Sequence, residues 1–565
     1  MPEGHPEVRL SREMRLIDVT MIGVGAMIGA GIFVLTGIAA GVAGPALIVA
    51  FALNGAVTLI TAMAYAELGS CFHDAGGGYL WVKQGLPNPN GFLSGWMSWF
   101  AHAVACSLYA LGFGAYFHLV LSMLGYSGGH DWPVSLEKLL ACAVVALFCW
   151  INYRGASETG KAGNFVTVAK ILVIGVFIAL GVAAMHANPD WTGNFADFMP
   201  NGWGGVFMAM GLTFIAFEGY EIIAQCSEEV QYPKRNIPRA VFYSLAIVVP
   251  VYLLVAWVAI GAIDGGGIPT WQYLAEKKEI AMVEAARQFF SGGGLMILVG
   301  GLLSTMSALN ATIYSSSRVS FAMARDHNLP AMLGRLSARR RTPHVSIVFS
   351  AVIIIGMLLS LPIEDVAAAA DIMFLLLFLQ VNMALISLRR KRPDLDRGFR
   401  VPLVPALPIL GILGNLFIAA WLFIYSPSAW ISVGVWVVGG FVLHRYYAHP
   451  REEAALERIA SIERLERKEY RVLVALASPR TVASLMEVAV AVARRHGGEV
   501  VCLGVVEVPE DQPLRAGLDR TSVLEPMLDG AVAKATADRV AARGLIKVSH
   551  RISRGIVETA REEGC

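Results

Sequence analysis

Long apolar runs constrain this chain more than any other feature of its sequence. Twelve runs are each long enough to cross the roughly 30 Å hydrocarbon core of a bilayer. They lie at 17–40, 46–69, 92–124, 138–153, 162–186, 204–227, 239–263, 294–320, 344–361, 366–388, 404–425 and 428–447. With a cytoplasmic N-terminus, the inner connecting segments hold 20 Lys and Arg residues and the outer segments hold 4, as the positive-inside rule requires. The pattern predicts an all-α polytopic membrane protein with twelve transmembrane helices and both termini in the cytoplasm.

The distribution of charged residues divides the chain into two parts. Of residues 1–445, 52 are charged, whereas 36 of the 120 residues at 446–565 are charged. The formal net charge of +2 lacks the basic excess that nucleic-acid binding requires. Seven scattered cysteines without a CxxC pair predict neither a disulfide framework nor a zinc site. We expect a twelve-span domain at 1–447, a charged helical linker at 448–469 and a second domain at 470–565.

Two of the predicted spans contain glycine in a way that the others do not. The first has four glycines around the run VGAMIGAGIF, and the sixth contains FIAFEGYE, with Gly219 between two acids. Either run alone is explained by close packing of helices through small residues. Interrupted helices five spans apart, in corresponding positions of two halves, are instead typical of inverted-repeat transporters with a substrate site near the bilayer midplane. Unwound backbone there offers amides for a carboxylate and carbonyls for an ammonium, the two groups of an α-amino acid.

Five motifs in order resemble the amino acid/polyamine/organocation superfamily of secondary transporters. They are GAMIGAGIF, AYAELGS followed by GGGYLW, FIAFEGYE, SEEVQYPKRNIPRA and SSRVSFAMARDHNLP. The resemblance covers residues 10 to about 447. One departure is that His73 and Asp74 stand where family members often have proline before the GG. The resemblance implies a LeuT-type fold, with a five-plus-five inverted repeat and two extra helices, and transport of amino acids or amines.

The resemblance also implies a substrate site at the two interrupted spans. Its residues, carried over by position, are Met27, Gly29, Ala30, Gly31, Ile215, Ala216, Phe217, Glu218 and Gly219. The amides of Ala30 and Gly31 would hold the substrate carboxylate. The carbonyls of Met27, Ile215, Ala216 and Glu218 would hold the α-ammonium, and Phe217 would line or gate the pocket.

Lys170 lies within the fifth span, where a lysine costs at least about 2.5–3.5 kcal/mol on insertion scales. It can extend its ammonium to the inner surface, or it can act in transport. In proton-coupled relatives a fifth-span lysine replaces a bound sodium ion, which implies contacts with the Gly25 carbonyl and with an eighth-span hydroxyl, Ser315 or Ser316. Since burial favours the neutral amine, Lys170 is our candidate for proton coupling.

Three of the carboxyl groups that fall within predicted spans are also functional candidates. Glu218 is either a determinant for cationic substrates or a structural carboxylate that bonds to the interrupted helix. Glu221 is either a second proton site or a helix cap. Asp371 is the weaker candidate, since we place it near the outer surface.

The tail at 470–565 alternates strands and helices, which predicts a small parallel α/β domain. Its opening, YRVLVALA, resembles the universal stress protein family. Ala477 and Ser478 stand where that family has an acid, and the glycine-rich phosphate loop would fall beyond Cys565. We therefore expect an incomplete or degenerate domain with a regulatory or assembly role, including dimerisation, and we do not predict nucleotide binding.

These observations favour a proton-coupled secondary active transporter of amino acids that works by alternating access. Its expected partners are an amino-acid substrate and the lipid bilayer of the cell membrane, and its driving force is a proton gradient without a cofactor. One alternative is an exchanger of amino acids or polyamines. Another is a membrane sensor that signals amino-acid occupancy through its tail. We do not expect an enzyme, because no nucleophile, metal set or phosphate loop has suitable spacing.

Overall fold

The computed structural model describes residues 7–10, 14–72, 77–126, 134–154, 160–227, 230–326, 328–337, 340, 342–451, 470–509 and 520–565. The chain divides into two compact units. The larger consists of 15–227 and 232–452, and the smaller of 1–14, 228–231 and 453–565. Most of the linker predicted at 448–469 lies outside the described residues, which end at Arg451 and resume at Tyr470.

The larger unit is helical throughout its described secondary structure. Its helices are α1 (Leu16–Met27), α2 (Ala30–Ala43), α3 (Leu47–Cys71), α4 (Gly78–Gly85), α5 (Asn90–Met123), α6 (Leu136–Arg154), α7 (Gly160–Ala187), α8 (Gly202–Thr213), α9 (Tyr220–Gln225), α10 (Pro233–Gly261), α11 (Thr270–Lys277), α12 (Ala281–Phe289), α13 (Gly293–Arg325), α14 (His344–Ser360), α15 (Ile363–Lys391), α16 (Ala406–Tyr425) and α17 (Pro427–Leu443). Short 3₁₀ segments occur between some of them, and a π-helical turn at His444–Ala448 follows α17.

The helices confirm the predicted polytopic membrane fold. By length and composition, ten segments of the described chain can cross a membrane. The first, Leu16–Cys71, is 56 residues long and contains two predicted spans, separated by a 3₁₀ turn at Gly44–Ala46. The predicted ninth span forms His344–Ser360, an apolar helix of 17 residues. Every predicted span thus corresponds to helix, and two of the twelve are each formed by two helices, α1 with α2 and α8 with α9.

The loop between α10 and α13 forms two short helices that pack on α2. A Cβ atom at Gly37 would lie 2.3 Å from Ala281 Cβ, and one at Gly41 would lie 2.6 Å from Ala275 Cβ. Both glycines are therefore needed for the close approach of α11 and α12. The loop between α10 and α13 thus packs against α2, the second half of the first span.

The smaller unit contains a four-stranded parallel sheet in the order β1-β4-β3-β2. The strands are β1 (Glu7–Leu10), β2 (Arg471–Ala475), β3 (Glu499–Glu507) and β4 (Ala541–Ser549). In the described part of this unit, three helices lie between or after the strands, at Pro479–Arg495, Thr521–Ala537 and Ile552–Glu563.

The α/β class predicted for the tail agrees with this sheet, but two of its details differ from the sequence prediction. The sequence of the tail predicts a helix from about Pro526 to Arg543, but the helix ends at Ala537. Arg539 then adopts a positive φ of 61°, and β4 begins at Ala541. The edge strand β1 comes from the opposite end of the chain, which no local pattern indicates.

A buried ion-pair cluster joins the end of α3 to the end of α15 and the segment after it. The Glu67 carboxylate is fully buried and accepts two hydrogen bonds from Arg389, each of 2.6 Å. Arg397 Nε also donates to it at 3.0 Å, and the backbone amide of Val401 donates at 2.7 Å. Four donors therefore compensate the cost of burying this charge.

We predict that Glu67→Gln destabilises the protein by about 3 kcal/mol, because it leaves buried guanidinium groups without their counter-charge. The measurement is the apparent melting temperature of detergent-purified protein by intrinsic fluorescence. Asp396→Asn is the matched control, since Asp396 pairs with Lys234 on the exposed surface. Equal melting temperatures for the two variants would contradict the prediction.

Candidate functional site

The first span is interrupted between α1 and α2. Ile28 and Gly29 leave the helical conformation, and the Gly29 amide donates to the Met27 carbonyl at 2.7 Å. Ala30 and Gly31 are the first two residues of α2, so their N–H groups have no acceptor within that helix. These are the two amides that the family resemblance implies for a substrate carboxylate, and they lie at the positive end of α2.

The sixth span is interrupted between α8 and α9. A 3₁₀ turn at Phe214–Phe217 ends α8, Glu218 is extended, and Gly219 has a φ of 130°. The Gly219 amide donates to Glu221 Oε2 at 2.6 Å. Of the two roles left open for Glu221, the structure shows the hydrogen bond of a cap at the start of α9.

The two interruptions cross with their backbones in contact. A Cβ atom at Gly31 would lie 2.6 Å from Ala216 Cβ and 2.7 Å from Ala216 Cα. A Cβ atom at Gly219 would lie 2.7 Å from the Met27 nitrogen and 2.8 Å from Ala26 Cβ. The crossing thus brings together the two sets of residues predicted to bind substrate, and it has no room for side chains at Gly31 or Gly219.

Tyr252 of α10 contacts both interruptions, although no pattern in the sequence selects it. Its hydroxyl lies 2.7 Å from the Met27 carbonyl oxygen and 2.9 Å from that of Ala216. The single hydroxyl proton can be donated to only one carbonyl at a time. Both carbonyls, which the resemblance assigns to the substrate ammonium, therefore lie within hydrogen-bonding distance of one Tyr252 hydroxyl. An ammonium that bound them would either displace this hydroxyl or bind beside it.

Lys170 is fully buried and contacts the first interruption. Its ammonium donates to the Gly25 carbonyl at 3.2 Å and to the Ile28 carbonyl at 3.1 Å. This geometry agrees with the contact expected at Gly25. It excludes the alternative in which the side chain extends to the membrane surface.

The hydroxyl expected beside Lys170 belongs to a different residue of α13. Ser304 Oγ donates to the Ile28 carbonyl at 2.8 Å, the same oxygen that Lys170 contacts. Ser315 instead donates to Gln225, and Ser316 to Ser350. The expectation of Ser315 or Ser316 is therefore corrected to Ser304, since eleven residues of helix separate Ser304 from Ser315 by about 16 Å.

The remaining walls near the crossing are apolar and aromatic. Tyr109 of α5 and Ala308 of α13 lie 3.3 and 3.4 Å from the position of a Cβ atom at Gly29. Phe217 contacts the rings of Phe51 and Tyr252, with centroid distances of 5.9 and 5.2 Å. Phe217 thus lies among aromatic rings beside the crossing.

Asp371 lies elsewhere than the sequence indicated. Its side chain is fully buried on α15 and faces Glu218 at the sixth-span interruption. Hydropathy places Asp371 only by its distance along the span. It cannot show that the face of α15 that carries Asp371 is turned towards the sixth-span interruption. The structure therefore adds Asp371 to the residues around the candidate site.

A comparison with known protein families identifies the family of this chain. The family model described as amino acid permease matches residues 14–443. The chain belongs to the amino acid permease family. It is therefore a multi-pass membrane protein.

Several characterised relatives align over most of the chain. A branched-chain amino acid permease of Bacillus subtilis is 32% identical over 467 residues, which cover 80% of this chain and 96% of the relative. The methylthioribose transporter of the same organism is 29% identical, covering 80% of this chain and 95% of its own. A serine/threonine exchanger of Bacillus subtilis is 28% identical, and the alignment covers 79% of this chain and 98% of the exchanger.

We predict that Gly31→Ala lowers substrate affinity by at least about tenfold, or 1.4 kcal/mol, because the new methyl group forces the two interruptions apart. Binding to purified protein provides the measurement. Gly356→Ala on α14 is the control, because a Cβ atom there meets nothing within 4 Å. Unchanged affinity in the Gly31 variant would show that the close crossing is not required.

Proposed function

We propose that this chain is a proton-coupled secondary active transporter that imports neutral amino acids by alternating access. The contact of Lys170 with the carbonyls of Gly25 and Ile28, in the last turn of α1 and at the first-span interruption, carries the proposal. Similarity to a branched-chain amino acid permease and to a serine/threonine exchanger supports amino acids as the substrate class. The proposal places both termini in the cytoplasm, as the distribution of Lys and Arg indicates.

The crossing offers recognition groups for both ends of an amino acid. The amides of Ala30 and Gly31, which have no acceptor within α2, suit a carboxylate, and the carbonyls of Met27 and Ala216 suit an ammonium. Tyr109, Ala308 and Phe217 supply apolar surface around these groups. We therefore propose a neutral substrate whose side chain packs on this surface.

Lys170 couples the proton to the position of α1 in this proposal. A charged ammonium binds the Gly25 and Ile28 carbonyls more strongly than a neutral amine does, because charge-assisted hydrogen bonds are the stronger. Loss of the proton thus weakens the attachment of α1 to α7. The inward release of substrate and proton would follow from movement of α1.

We predict that Lys170→Ala abolishes accumulation of substrate driven by an inward pH gradient in proteoliposomes, while exchange of labelled for unlabelled substrate continues. The reason is that exchange requires no net proton movement. Accumulation at the wild-type level in this variant would exclude the proposed role.

Lys138→Ala is the matched control for Lys170→Ala. Lys138 also donates to two backbone carbonyls, those of Leu359 and Leu361, but from an exposed position at the start of α6. We expect it to retain accumulation. Ser304→Ala and Ser315→Ala form a second pair, in which only the Ser304 variant removes a hydrogen bond from the carbonyl that Lys170 contacts.

We predict that leucine, isoleucine, valine, serine and threonine include the best substrates in an uptake panel, and that arginine and methylthioribose are not transported. Methylthioribose lacks the carboxylate and ammonium that the crossing would recognise. Uptake into proteoliposomes with and without a proton gradient is the measurement. Uptake of arginine that depends on Glu218 would instead favour a cationic substrate, and exchange without net uptake would favour an exchanger.

A further inference from the structure

Two buried carboxyl groups from different helices meet at the sixth-span interruption. Glu218 follows the 3₁₀ turn there, and Asp371 faces it from α15. The position of α15 is fixed by Phe378, two turns after Asp371, whose ring contacts Phe214 and Tyr220 at centroid distances of 6.2 and 5.6 Å. Aromatic contacts on both sides of the interruption thus hold Asp371 beside Glu218.

Neither carboxyl group has the partners that a buried charge requires. Glu218 is 3% exposed and Asp371 is 0% exposed. Within the described part of the chain, none of their four oxygen atoms has a well-formed hydrogen bond to an N–H or O–H donor, and the backbone amide of Ile215 approaches Asp371 without forming one. Glu67 shows the contrast, because four donors surround that buried carboxylate.

The titratable groups around the pair include no lysine or arginine side chain in the described structure. Those facing Glu218, besides Asp371, are Glu221, Tyr65, Tyr109 and Tyr220. On the α15 side, His102 of α5 packs against Phe374, one turn after Asp371, and its Nδ1 lies 2.6 Å from the Ser98 carbonyl oxygen. The surroundings therefore offer aromatic rings and another carboxyl group to the pair.

Two carboxylates in contact and away from water cannot both be ionised without a large energetic cost. A single proton between them removes one charge and forms a strong O–H···O⁻ hydrogen bond. The proton supplies the well-formed hydrogen bond that the donors in the described part of the chain do not. No redox or covalent chemistry is involved, since the proton comes from water and returns to it.

We propose that Glu218 and Asp371 form a second proton-binding site, in which the two carboxyl groups share one proton. This site differs from Lys170 in its residues and in the interruption that it contacts. Its existence does not depend on the proposed transport function, and only its effect on the pH dependence of exchange rests on that function.

Infrared spectroscopy of the purified full-length protein tests the shared proton directly. We expect wild-type protein at neutral pH to show the carbonyl stretch of a protonated, buried carboxylic acid. Glu218→Gln and Asp371→Asn should each remove this band, because either change separates the proton from its pair. Persistence of the band in both variants would overturn the proposal, and so would its loss in only one of them.

Two further variants keep this test specific. Glu221→Gln should leave the band, and its loss in that variant alone would assign the proton to Glu221 and overturn the proposal. Glu284→Gln is the surface control, because Glu284 pairs with Arg287 outside the crossing. Size-exclusion chromatography and melting temperature identify folded variants, and Asp371→Glu retains a carboxyl group if the Asn variant does not fold.

Exchange of labelled leucine provides the second readout. In Lys170→Ala proteoliposomes we expect exchange to remain dependent on pH, and we expect Glu218→Gln in that background to abolish the dependence. A pH-independent Lys170→Ala variant would exclude a role of the pair in transport. If leucine is not exchanged at all, the proposed substrate class fails, while the infrared result still decides whether the proton is shared.

Discussion

The crossing of two interrupted helices is the constraint on which the rest of the membrane unit depends. Backbone that leaves the helical conformation inside a membrane exposes polar groups, and each group must find a partner within the protein or its substrate. Gly31 and Gly219 allow the two backbones to touch, since a Cβ atom at either would lie within 2.7 Å of the other interruption. The same small residues that permit contact leave a site that main-chain atoms dominate.

Three neighbouring helices supply donors to the carbonyls of the first interruption. Tyr252 of α10 donates a hydrogen bond to the Met27 carbonyl. Lys170 of α7 donates to the carbonyls of Gly25 and Ile28, and Ser304 of α13 also donates to that of Ile28. Movement of α1 must therefore break hydrogen bonds to several helices together. Lys170 is the donor among them that can lose a positive charge. Because it contacts the interruption directly, its protonation would act on the geometry there without any intervening residue.

The sequence was sufficient for the spans and for the residues of the interruptions, because hydropathy and glycine placement are local properties of the chain. Resemblance added the contact between Lys170 and Gly25. It could not select Ser304 over Ser315, because α13 carries several serines and only its packing decides which one faces Ile28. For the same reason Tyr252 was missed and Asp371 was misplaced, since their partners lie far away in the sequence and depend on the rotation of α10 and α15.

The two interruptions differ in the polar groups that approach them. Hydroxyl and ammonium donors approach the carbonyls of the first, whereas the carboxyl groups of Glu218, Glu221 and Asp371 gather at the second. Glu221 accepts a hydrogen bond from the Gly219 amide. Glu218 and Asp371, in contrast, bring four acceptor oxygens together that have no well-formed hydrogen bond to a donor in the described part of the chain. A buried excess of acceptors is costly until a proton or another donor reaches it. The amino-acid sequence therefore places a donor-rich and an acceptor-rich interruption in contact, and any bound zwitterion would lie in the asymmetric field between them.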